Sequence, residues 1–203
     1  MMSRRAALRL LIPVSLLATL LPERAVAHLP TLGLGPVYDG LFHFVLSPDD
    51  LLPVIALALL CGQRGAGFGR RALWLLPLSW LAGGVAGMFI GWAPGAPLTA
   101  LSLLVLGVLV AMHARVSLRT ASLLAVWLGV VHGYLNGAGI NRYDGGMPAV
   151  MGLACGVFIA AALFAALVVP LRRPWTLVAV RVAGSWIAAT GLLMAGWALR
   201  GSV

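Results

Sequence analysis

The chain alternates long apolar runs with short breaks rich in Gly, Pro and Arg. Six runs are long enough to cross a bilayer as helices, which takes roughly 17–25 residues each. They lie near residues 37–60, 72–92, 97–114, 120–138, 147–169 and 175–199, and the breaks read GQRGAGFGRR, APGAP, ARVSLRT, GAGINRYDGG and LRRP. Ahead of them, Arg4, Arg5 and Arg9 precede LLIPVSLLATLL and then PERAVAHLP. That order of basic region, short apolar region and small-x-small site at Ala25-Val26-Ala27 predicts a signal peptide over 1–27, with an uncleaved first helix as the alternative. The expected architecture is an all-α integral membrane protein, a six-transmembrane-helix bundle over residues 28–203.

Composition agrees with the pattern. Hydrophobic residues make up 62% of the chain, charged residues 9%, and the mean hydropathy is +1.03. A soluble domain carries about a quarter charged residues, so this chain cannot cover a water-facing surface. The net charge of +9 and pI near 11.5 come entirely from arginine. Those arginines stand in short loops and read as topology signals, which argues against a nucleic-acid partner. Arg64, Arg70, Arg71, Arg115, Arg119, Arg172 and Arg173 follow the first, third and fifth runs, and only Arg142 and Arg200 lie on the other side. Arg181 lies near the inner end of the last run and can snorkel. The asymmetry predicts both mature termini outside.

Glycines recur every fourth position at Gly83, Gly87 and Gly91, at Gly129, Gly133 and Gly137, and at Gly152 and Gly156. Such spacing lets helix backbones approach closely in lipid, so helix packing is the expected role.

Against this apolar background, FHFVLSPDDLLP in the first run carries Asp49 and Asp50 side by side. Two carboxylates at the centre of a spanning helix cost about 5–7 kcal/mol, and the Leu, Ile, Val and Phe around them return about 4–7 kcal/mol. The segment inserts with little margin, so the acids are expected to face the bundle interior or a wet cavity. On a straight helix, Asp39, His43, Ser47 and Asp50 form one stripe, with Asp49 about 100° away. Pro48 and Pro53 should kink the helix or free carbonyls. The stripe suggests a cation path, with a purely structural polar network as the alternative.

The fourth run adds VVHGYLNG, where His132 and Asn136 share a face. Nitrogen and oxygen donors from two helices suit nickel, cobalt, zinc or iron better than magnesium or calcium. Straight-helix geometry nonetheless sets Asn136 and Asp50 about 10 Å apart in depth. Cleavage after Ala27 would leave His28 as a new N-terminus whose amine and ring chelate a metal ion. The candidate metal ligands are therefore His28, His43, Asp49, Asp50, His132 and Asn136. His113 reads as interfacial. Cys61 and Cys155 lie at different depths, which predicts no disulfide.

These residues resemble the HupE/UreJ family, membrane proteins associated with hydrogenase and urease and regarded as nickel or cobalt permeases. That family carries His, five residues, then Asp-His; here His43 and Asp49 match and Asp50 replaces the His. Its His-Gly-x-x-His-Gly-x-Glu finds His132, Gly133 and Gly137, with Asn136 and Gly139 replacing His and Glu. The likeness extends to the signal, the helix layout and RVAGSWIAATGLLMAGWALR near the end. It implies a multi-pass protein of the bacterial inner membrane, with the metal as cargo and no permanently bound cofactor.

Three function classes follow. The first is a secondary permease for a divalent transition-metal ion, nickel or cobalt by resemblance. The second is a non-transporting accessory protein that binds or delivers metal to a metalloenzyme-maturation partner. The third, an intramembrane enzyme, has neither a GxSG nor an HExxH motif behind it, so no enzymatic activity is expected. The absence of a nucleotide-binding motif leaves any energy to gradients or a partner.

Overall fold

The computed structural model describes residues 33–91, 97–140, 145–171 and 173–200. The predicted signal peptide, His28, Arg142 and Arg172 lie outside the described residues. Seven helices and no strand occur among those described: α1 (Pro36–Leu46), α2 (Pro48–Arg64), α3 (Ala66–Ile90), α4 (Pro97–Ala111), α5 (Leu118–Ile140), α6 (Gly146–Val168) and α7 (Pro174–Arg200).

The first apolar run is two helices rather than one, meeting at a bend of 73°. Pro48 causes the break. Its ring disfavours helical geometry at the preceding residue, and Ser47 accordingly sits at φ −99°, ψ 96°. Pro48 then occupies the first position of α2, where its missing N–H costs nothing. This corrects two expectations. Asp49 and Asp50 stand in the first turn of α2, not mid-helix, at the positive end of its dipole. The straight stripe from Asp39 to Asp50 is interrupted at Ser47. Pro53, by contrast, stays inside α2 without ending it.

The six-span count is met only in part. α3, α5, α6 and α7 are each long and apolar enough to cross a membrane, and the bent α1–α2 pair makes a fifth if it forms one broken span. α4 has 15 residues, about 22 Å, short of a hydrocarbon core of about 30 Å.

α2 is the hub and touches each of the other six helices. From Pro53 to Gly62 only Ile55 is not fully buried, as a helix apolar on every side requires. Around it, α3 packs on α5, α4 on α7 and α1 on α6. Glycine sets each of these contacts. A methyl on Gly133 would strike the Trp80 carbonyl, one on Gly137 the Gly84 carbonyl, and one on Gly87 the Tyr134 carbonyl. Gly152 meets the Val37 carbonyl and Gly40 that of Ala149 in the same way. The predicted packing role holds for these positions, but Gly91 is different. It caps α3 at φ 69°, a left-handed conformation that favours glycine. Apolar side chains cover the outside, including Phe89 at 82% exposure and Leu193 and Trp197 at 75%. A surface of that kind is stable against lipid, so the chain is a multi-pass membrane protein.

Candidate functional site

The bend aims the start of α2 at α5. Asp50 is 5% exposed and His132 wholly buried, and His132 Nδ1 lies 2.8 Å from Asp50 Oδ1. Asn136, one turn on, donates through Nδ2 to Asp50 Oδ2 at 2.9 Å and to the His132 carbonyl at 2.9 Å. The expected 10 Å offset in depth between Asn136 and Asp50 is therefore absent. It assumed a straight first helix, and the break at Ser47 removes it.

α4 supplies the other side. Ser102 Oγ donates to the Thr99 carbonyl at 2.8 Å and lies 2.8 Å from His132 Nε2. A hydroxyl has one proton, so with that proton on Thr99 it accepts from Nε2–H. His132 then carries its proton on Nε2, and one further proton bridges Nδ1 and Oδ1. Both carboxylate oxygens and both ring nitrogens are thus engaged. A satisfied buried network of this kind is rigid, whereas a half-satisfied one would be costly.

Trp80 closes one face of the imidazole, with ring centroids 5.5 Å apart and planes inclined at 35°. Phe44 of α1 meets Trp80 edge-on at 6.0 Å and 89°. The backbone contact at Gly133 is what brings α5 close enough to α3 for this stacking.

Of the expected ligands, Asp50, His132 and Asn136 share one cluster. Asp49 and His43 are half-buried, and Asp49 precedes Asp50 in the first turn of α2. No hydrogen bond ties Asp49 or His43 to the cluster. Among the described residues no group of three or more His, Cys, Asp or Glu side chains is placed to hold a metal ion. In this arrangement the polar groups of Asp50 and His132 serve one another, so a cation reaches them only when the hydrogen bonds open. Cys61 is buried and Cys155 exposed, both as free thiols, as expected.

Ser102, Thr99 and Trp80 did not stand out in the sequence. The available signal was the pair Thr99 and Ser102, three apart in an otherwise apolar run and so on one helix face.

No curated protein and no solved structure matches the chain. The HupE / UreJ protein family model matches residues 16–194. With nearly the whole chain matched, including the helices that carry Asp50, Ser102 and His132, the protein belongs to the HupE/UreJ family.

Proposed function

We propose that the protein is a secondary permease for a divalent transition-metal ion, nickel or cobalt, which dwells at the Asp50–His132–Asn136 cluster. One observation carries this reading: a buried carboxylate and imidazole, 82 residues apart in sequence and on different helices, meet at 2.8 Å beside a helix break. Ionisable groups inside a membrane bundle are retained for ion or proton passage far more readily than for stability. Broken helices are the usual place for such sites, because a helix end supplies polar backbone and dipole at membrane depth. Asp49 and His43 would complete the coordination from the approach side, and His28 would gather ions at the entrance. The bilayer and the ion are the partners of this reading, in the inner membrane with both termini outside and no enzymatic step.

The second reading, an accessory protein delivering metal to a maturation partner, gains from the fact that every polar atom of Asp50 and His132 is already paired within the chain. Elemental analysis of cells lacking their own nickel uptake separates the two. Wild type, Asp50→Ala and His132→Ala are expressed at matched levels with trace nickel, cobalt, copper, zinc and iron. Passage through the cluster predicts one metal rising in wild type and staying at background in both variants. No rise for any metal would reject autonomous transport and leave the accessory role.

A further inference from the structure

α3 and α6 share a seam on the outside of the bundle that carries two hollows, each of about 440 Å³. Ala66, Arg70 and Leu73 of α3 border the first, and Pro77, Leu78 and Leu81 border the second. Steps of three and four residues keep them on one face of the helix. α6 answers with Ala162 and Ala166 at the first hollow and with Ala154 and Phe158 at the second. The hollows therefore lie end to end in one groove, crossed midway by Trp74 and Phe158, whose rings are 5.7 Å apart. The lining is apolar except at one end. Arg70 is exposed and borders the first hollow, whereas Arg71, equally exposed, borders neither. Among the described residues Arg70 has no ion pair. Arg64, Arg70, Arg71, Arg115, Arg119 and Arg173 stand at or beside the turns joining α2 to α3, α4 to α5 and α6 to α7. The described acids Asp39, Asp49 and Asp50 belong to α1 and the first turn of α2, and Asp50 lies about 20 Å along the α2 axis from Arg64. The counter-charge for Arg70 therefore has to come from outside the described chain.

We propose that the α3–α6 groove holds one anionic phospholipid, with its phosphate on the Arg70 guanidinium and one acyl chain along the seam toward Leu81. An apolar channel with an unmatched cation at its mouth fits an anion that carries a hydrocarbon tail. Basic pockets between membrane helices bind anionic headgroups, and guanidinium meets phosphate through charge-assisted hydrogen bonds. The dimensions agree. From Arg70 to Leu81, α3 rises about 16 Å, and one leaflet of the hydrocarbon core is about 15 Å deep. Apolar contact alone selects no lipid, since every lipid in the bilayer offers a similar chain. The charge makes the choice, and the groove fixes the place. A second copy of the chain fits less well. A twofold contact along this seam would bring Arg70 of both copies to one depth, with no carboxylate to meet either.

The test uses the purified full-length chain in detergent micelles, titrated with equal parts of phosphatidylglycerol and phosphatidylcholine. The phosphatidylcholine carries deuterated chains, which separates the two masses. Native mass spectrometry counts each lipid on the chain and reads the oligomeric state in the same spectrum. Wild type is compared with Arg70→Ala, Arg71→Ala and Ala166→Phe. All three positions are exposed, so the variants keep the fold, which circular dichroism checks. The expected result is one phosphatidylglycerol per wild-type chain, held in preference to phosphatidylcholine. Arg70→Ala lowers that preference about fivefold, the factor one arginine near a headgroup contributes, while Arg71→Ala changes it by less than about twofold. Ala166→Phe fills the first hollow with the charge intact and also lowers phosphatidylglycerol occupancy. Equal losses in Arg70→Ala and Arg71→Ala would overturn the proposal and leave only diffuse attraction to the arginine-bearing end. Equal binding of the two lipids by wild type, or full binding by Ala166→Phe, would overturn it as well. A wild-type dimer that Ala166→Phe dissociates would assign the groove to a second copy instead.

Discussion

The two ends of α2 solve the same problem in opposite ways. At its start, Asp50 is met by His132 and Asn136, and His132 in turn by Ser102, at 2.8–2.9 Å. At its finish, the side-chain amide atoms of Gln63 and Nδ1 of His113 are buried with no hydrogen-bond partner among the described residues. At the first end the polar groups serve one another. At the second they are left unmatched. Along one helix, then, matched and unmatched polar groups are divided between the termini, and the apolar stretch of Val54, Leu57 and Ala58 keeps them apart.

The sharpest way to break the matched end is Asp50→Ala. It strips His132 and Asn136 of their acceptor, and losing one member of a buried charged pair costs about 3–5 kcal/mol. Asp50→Asn keeps the shape and costs about 1–3 kcal/mol. Unfolding in mixed micelles followed by circular dichroism ranks the two, and equal losses would mean that the carboxylate charge contributes nothing there.

A smaller effect comes from Gly133→Ala, whose methyl meets the Trp80 carbonyl and forces α3 from α5, at about 1–3 kcal/mol. Because the shift moves His132 off Asp50, the loss should not add to that of Asp50→Ala. A double-mutant cycle should show coupling above about 0.5 kcal/mol. Strict additivity would separate helix packing from the polar network.

The C-terminal end of α2 predicts the smallest change. His113→Gly relieves a left-handed backbone but adds freedom to the unfolded chain. Its stability should stay within about 1 kcal/mol of wild type, on the favourable side. A clear destabilisation in the same unfolding assay would show that the His113 ring holds the helix ends together.

Much of this was legible from apolar run lengths, which reflect burial and bilayer thickness directly. Each of the six runs coincides with helix, and the every-fourth glycines of α3 and α5 meet as spacing predicts. Placing Asp50 and His132 at one site follows from the sequence, because ionisable residues in so apolar a chain have few stable places except beside each other; their direct contact does not follow from it. The helix break was less legible. Pro48 announced a disturbance, but a kink and a 73° turn between two helices differ only in whether neighbouring helices fill the corner. That depends on Gly40 and Gly152 letting α1 lie against α6, a tertiary contact with no local signal. The straight-helix estimate consequently misplaced Asn136. Ser102 and Gln63 were hidden for a simpler reason: one serine or glutamine in a membrane helix is ordinary until its neighbours are known.

The distance in sequence between Asp50 and His132 has a consequence for biogenesis. Their 82-residue separation means that α2 emerges from the ribosome long before α5. At about 5–20 residues per second, the aspartate waits roughly 4–16 s for its imidazole. During that interval the hub of the bundle is an orphan, carrying a carboxylate with nothing to answer it. The nascent chain must therefore hold α1 and α2 at the insertion machinery or near the membrane surface until α5 arrives. Assembly of the core is a late event, completed from the second half of the chain.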